Sequence, residues 1–222
     1  MKRTVSALAL SALLAVPTLA NAVTISASYQ VNLNDSDPGL VVNYAEIAMN
    51  PFEYNLTEGG YVTFDLFKIW TPESHVNVGE DTIPQPISVD FLFTLPDVIN
   101  GSAGGETVGV SGLWGLYQYG QLTWGDPLLL SYGALDDGLI SISLSDETFN
   151  EGLLGLSGGD CVFNGVEPLG AKGGKGHKKC KGATVEATLT LVREASVPVP
   201  EPASLALLGL GMLGMGLRRR LQ

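Results

Sequence analysis

Trp114, Tyr117, Tyr119 and Trp124 fall within one eleven-residue stretch, "WGLYQYGQLTW". Planar rings of this kind stack on the apolar face of a sugar ring when they are exposed, and fill a core when they are not. Carboxylates are the other plentiful reactive group. Asp65, Asp90, Asp126 and Asp136 are available for the paired acid and base work of glycoside hydrolysis, although acidic residues are too numerous here for position to single out a pair. Asp35 and Asp37 in "DSDPG", and Asp136 and Asp137 in "DDG", occupy loops where calcium can bind; ordinary turns use the same residues. The chain has two histidines, His75 and His177, and neither a G-x-S-x-G elbow nor an H-E-x-x-H pair. A non-enzymatic protein without a resident cofactor is expected, with a glycan hydrolase as the enzymatic alternative and calcium as the one ion left open.

Cys161 and Cys180 bracket a Gly- and Lys-rich run, "GGDCVFNGVEPLGAKGGKGHKKCKG". Together with His177 they supply three soft ligands without a fourth and without C-x-x-C spacing, so a zinc site is not expected. In an exported chain an even cysteine count favours a disulfide, which would stabilise this loop by roughly 3 kcal/mol through lost chain entropy. Lys172, Lys175, Lys178, Lys179 and Lys181 in the same run either meet an anionic partner or stay solvated beside an acidic body. Nineteen Asp and Glu against Lys68 alone between Val23 and Asp160 argue against nucleic acid as a partner of that surface.

The segments that must position these residues alternate with a period of two. In "VTISASYQVNL", Val23, Ile25, Ala27, Tyr29, Val31 and Leu33 share a face. Val62, Phe64, Leu66 and Trp70 do so in the next run, then Ile87, Val89, Phe91, Phe93 and Leu95, then Ile140, Ile142 and Leu144, and finally Val185, Ala187, Leu189 and Leu191. Less regular candidates lie at "LVVNYAEIAM", "TVGVSGLWGLYQYGQLTW" and "PLLLSYG". The pattern predicts eight or nine antiparallel strands from Val23 to Val192, with a long excursion over 153–182 between the last two. Strands with one apolar face must bury it against another sheet, so a β-sandwich of jelly-roll or immunoglobulin-like type is expected over 23–195.

The ends are different in kind. "MKRTVSALALSALLAVPTLANA" has two basic residues, an apolar run and an Ala20-Asn21-Ala22 ending, which reads as a helical signal peptide over 1–22 cut after Ala22 by signal peptidase. At the other end, 196–222 begins with alternating prolines and continues as fifteen uncharged residues from Ala203 to Leu217 before Arg218, Arg219 and Arg220. As a helix those fifteen span about 22 Å, a short transmembrane segment whose arginines fix the tail inside and the body outside.

Pro200, Glu201 and Pro202, the apolar segment and the arginine cluster, in that order, resemble the PEP-CTERM sorting signal of Gram-negative bacteria. The resemblance implies processing by an exosortase that recognises the triplet, after transient anchoring of the tail in the inner membrane. It also implies a final place at the cell surface or in the extracellular matrix, where a structural or adhesive part in exopolysaccharide or biofilm is the expected function. A carbohydrate-binding module using the 114–124 aromatics, with or without calcium, is the alternative.

Overall fold

The computed structural model describes residues 22–157 and 182–196. They form β1 (Val23–Asn32), β2 (Asn43–Glu46), β3 (Phe52–Leu56), β4 (Tyr61–Trp70), β5 (Gln85–Leu95), β6 (Ile99–Gly112), β7 (Tyr117–Trp124), β8 (Leu128–Tyr132), β9 (Gly138–Leu144), β10 (Glu147–Leu153) and β11 (Ala183–Arg193), with one 3₁₀ turn at Leu113–Gly115. The fold is all-β and antiparallel. One sheet has the order β10-β7-β6-β5-β1-β3 and the other β2-β4-β11-β9-β8. The chain changes sheet at nearly every connection; the exceptions are the β5-β6-β7 meander and the β8-β9 hairpin.

One apolar cluster draws on both sheets. Ile25, Ala27, Val89, Phe91, Phe93, Leu122 and Phe149 come from the six-stranded sheet, and Leu66, Phe67, Ile69, Ile140, Ile142, Val185, Leu189 and Leu191 from the five-stranded one. The inward faces of β1, of β5 as far as Phe93, of β9 and of β11 as far as Leu191 follow the alternation of the sequence, because an extended strand that inserts no extra residue keeps every second side chain on one side.

Two faces depart from it. In β4, Leu66 and Phe67 are both buried, and Ile69 follows Phe67 inward. The partner strand pairs Val185 with Phe67 and Glu186 with Asp65, which leaves Leu66 as an extra residue in a bulge, so the face that began with Val62 and Phe64 passes to Phe67 and Ile69. In β5, Ala27 pairs with Phe93 and Ser26 with Leu95, so Thr94 is the extra residue and Leu95 turns outward, 43% exposed. Among the described residues there are eleven strands rather than eight or nine: β3 and β10 are additional, and the run from Thr107 to Trp124 holds parts of two strands, β6 and β7.

β10 ends at Leu153 and β11 begins at Ala183; of the expected excursion between them, residues 158–181 lie outside the described residues. The signal peptide, the Cys161 and Cys180 pair with His177, the five loop lysines, the Pro200-Glu201-Pro202 triplet, the apolar tail and its arginines lie outside the described residues. Among the described residues, no helix is long and apolar enough to cross a membrane.

Candidate functional site

The β6–β7 hairpin does not present its aromatics on one surface. Tyr117 and Tyr119 alternate onto the outer face of the six-stranded sheet, where their rings lie 5.5 Å apart and tilted by 52°. Trp124, seven residues along from Tyr117, falls on the inner face and packs half-buried against the core. Trp114 sits at the hairpin tip and is fully exposed. Three of the four expected aromatics therefore share one end of the sheet, and Trp124 belongs to the interior.

Trp114 is held there by an unfavourable backbone. Its φ and ψ of 58° and 39°, followed by Gly115 at φ 84°, put two successive residues in the left-handed region. Asn-Gly is the favoured pair for such a turn, because Asn tolerates the conformation and a bulky side chain does not. A large apolar side chain in a strained turn, making no burial contact, stabilises nothing in the fold.

The neighbouring edge strand adds a carboxylate. β7 pairs with β10 through Phe149 opposite Gly120 and Gly152 opposite Gln118, so Asn150 and Glu151 together oppose Tyr119 in a bulge. Asn150 is left-handed at φ 54° and fully buried, its Oδ1 accepting from the Thr71 amide at 2.9 Å and its Nδ2 donating to the Ser157 carbonyl at 2.8 Å. With Asn150 turned inward, Glu151 is carried to the outer surface, where it hydrogen-bonds the Tyr117 hydroxyl. Desolvation first, then the Glu151 charge, raises that phenol above its ordinary range. Leu116, Leu153 and Leu154 are also exposed at this end, with the Leu154 amide donating to the Leu116 carbonyl at 2.7 Å. Glu151 was not readable from the sequence, since nothing in "ETFNEGL" marks where the bulge falls.

The other expected carboxylates do not converge. Asp65 lies in β4, Asp90 in β5 accepting from Asn32 Nδ2 at 2.8 Å, Asp126 in the β7–β8 turn and Asp136 in the β8–β9 turn. Asp35 and Asp37 are exposed in their loop, and Asp137 holds the Ser196 amide at 3.1 Å; a hydrogen bond with the Ser196 side chain chiefly lowers the Asp137 carboxyl, and the amide contact adds to it. No three His, Cys, Asp or Glu side chains among the described residues are grouped to hold a metal.

A carboxyl pair does form where none was expected. The β4–β5 connection folds over the inner face of the six-stranded sheet, with the Val76 amide donating to Gln118 Oε1 at 2.7 Å and the Gly109 amide to the Asp81 carbonyl at 2.7 Å. This brings Glu73 within hydrogen-bonding reach of fully buried Asp81. Burial pushes the Glu73 carboxyl up to about 7; the Val41 amide opposes that rise, while Asp81 and Asp37 add to it. Glycoside hydrolysis needs carboxyl groups at least about 5 Å apart with a sugar between them. A touching pair with one buried member does not offer that.

A groove of about 360 Å³ runs along Asn32–Asn34 and Gln85–Ser88; its walls mix Asn, Gln and Ser with Leu33, Pro86 and Ile87, and none is aromatic. It can hydrogen-bond a solute without stacking on it.

Fold and surface thus define an acidic, antiparallel all-β domain with an exposed aromatic and carboxylate end. Residues 198–220 match the family described as the PEP-CTERM protein-sorting motif. The chain carries the signal of an exported, exosortase-sorted protein, which agrees with the reading of its last residues. No curated protein and no solved structure matches the chain.

Proposed function

We propose that this is a non-catalytic, exosortase-sorted surface protein. Its β-sandwich body adheres to uncharged polysaccharide in the extracellular matrix through the β6–β7 hairpin end. The observation that carries the reading is Trp114, fully exposed in a left-handed turn that disfavours it. Trp114 and the Tyr117–Tyr119 pair supply stacking faces, and Glu151 supplies an acceptor for sugar hydroxyls. The shared core of the two sheets supports the sandwich architecture and gives the hairpin a rigid base.

Charge narrows the ligand class. The described residues carry twenty Asp and Glu against Lys68 and Arg193. An anionic glycan is repelled by such a body at low salt, whereas a neutral one is not. Export places the domain where such polymers occur; transient membrane anchoring through the tail precedes release to the surface.

Affinity electrophoresis of the exported protein in gels containing dextran, galactomannan, soluble β-glucan or alginate tests the proposal. Retardation by at least one neutral polymer, reduced on Trp114→Ala by roughly 2 kcal/mol or about 30-fold, is expected of a buried aromatic contact. Retardation by alginate alone, or retention unchanged in Trp114→Ala and Tyr117→Ala, contradicts it.

A further inference from the structure

Asp81 is an anomaly of the interior. It is 0% exposed, and its Oδ2 accepts from the Asn77 amide at 2.6 Å. Its Oδ1 is buried with no hydrogen-bond partner. An ionised carboxylate oxygen in that state is among the costliest groups a domain can enclose. What faces it increases the cost. Glu73 is another acceptor, with its Oε1 already engaged by the Val41 amide at 2.6 Å, and Asp37 contributes further negative potential. Each carboxylate is thus tethered through one oxygen to a backbone amide, and the only hydrogen bond between the two groups is one that needs a shared proton.

A third buried oxygen belongs to the same region. Thr107 is 0% exposed and its Oγ1 is likewise without a partner. In β6 it shares the inner face with Gly109, two residues along. Gly109 lies directly under Asp81: its amide donates to the Asp81 carbonyl at 2.7 Å, and a Cβ there would stand 3.1 Å from the Asp81 Cβ. Buried carboxylate oxygens that outnumber their donors call for a positive particle. Two carboxylates with neutral oxygens are the ligand set of a hard cation, and the low anionic count is that of weak sites in extracellular modules.

We infer that Glu73 and Asp81 form a divalent-cation site, selective for calcium, that ties the β4–β5 connection to β6. The site is separate from the aromatic end and does not depend on its ligand. It also differs from the turns at Asp35–Asp37 and Asp136–Asp137, although Asp37 adds to its field. Occupation would hold residues 71–82 against the sheet in a medium containing calcium, which an exported protein meets. Inside the cell, where free calcium is scarce, the same pair has only a shared proton to relieve it.

The test uses the full chain, stripped with EDTA and followed by calorimetric titration with CaCl2 and by thermal unfolding at pH 8. One saturable site with a Kd on the order of 10⁻⁴ to 10⁻³ M is expected. The midpoint should rise by a few degrees in 10 mM calcium and by less in 10 mM magnesium. Asp81→Asn should abolish both effects. Should that variant not fold, Glu73→Gln serves, because its amide oxygen can still accept from Val41 while the charge is gone. The inference is overturned if wild type binds no calcium, or if calcium binds equally well to wild type and Glu73→Gln. It is also overturned if the midpoint ignores calcium and only falls with rising pH, since the pair then holds a proton.

Discussion

Replacing Trp114 with Asn should make this domain more stable. The indole is fully exposed, so its removal forfeits almost no buried apolar area. The backbone at φ 58° disfavours a bulky side chain by roughly 1 to 2 kcal/mol, and Asn, the usual partner of glycine in such turns, recovers most of it. The expected gain is about 1 kcal/mol, or about 3 °C in midpoint for a domain of this size. Differential scanning calorimetry and urea unfolding measure it, with an unchanged m-value showing that the folded and unfolded states are otherwise alike. The same variant should lose retention by neutral polysaccharide. Gain of stability with loss of binding distinguishes a residue kept for contact from one kept for packing. A stability lowered by more than about 1 kcal/mol would show that the indole packs against the domain, and would refute the reasoning for this surface.

Three further outcomes follow from the interior. Asn150→Ala leaves the Thr71 amide and the Ser157 carbonyl without their partners and puts Ala in a left-handed position, so a loss of about 3 kcal/mol is expected in urea unfolding. Gly120→Ala places a Cβ 2.3 Å from the buried Phe149 ring, and overpacking of this kind should cost about 2 kcal/mol by the same measurement. Stability without calcium should depend on pH through Glu73, whose folded value of about 7 exceeds its ordinary 4.5, chiefly through desolvation. A raised carboxyl stabilises the fold fully below about pH 4.5 and loses that contribution as pH rises through 7. Since Glu73 is partly solvated, the loss should be near 1 kcal/mol, seen as a midpoint lower at pH 8 than at pH 4.5 in EDTA and absent in Glu73→Gln.

Strand faces were readable where the strand itself inserts no extra residue, as in β1, β9 and β11 as far as Leu191, because alternation is a property of one strand. Bulges are a property of two. Nothing local to "FDLFKIW" says that Leu66 will find no opposite number in β11, nor does Thr94 announce that it will be skipped by β1. β3 does alternate, through Phe52, Tyr54 and Leu56, but over only five residues. In β10 the left-handed Asn150 breaks the pattern that would have revealed the strand. The aromatic stretch could be found by composition, whereas its division into an exposed Trp114 and a half-buried Trp124 required knowing where the hairpin turns. Glu73 and Asp81 are eight residues apart in a loop without periodicity, and only the fold of that loop onto Gly109 brings them together.

Sorting is the claim on which the rest depends, and intact-mass spectrometry of the protein recovered from the surface of its native cell tests it most directly. The account predicts a chain beginning at Val23 and ending near Glu201, within the matched segment 198–220, with any added mass at the new C-terminus identifying an attached group. A surface-recovered chain still ending in Arg218, Arg219 and Arg220 would contradict it.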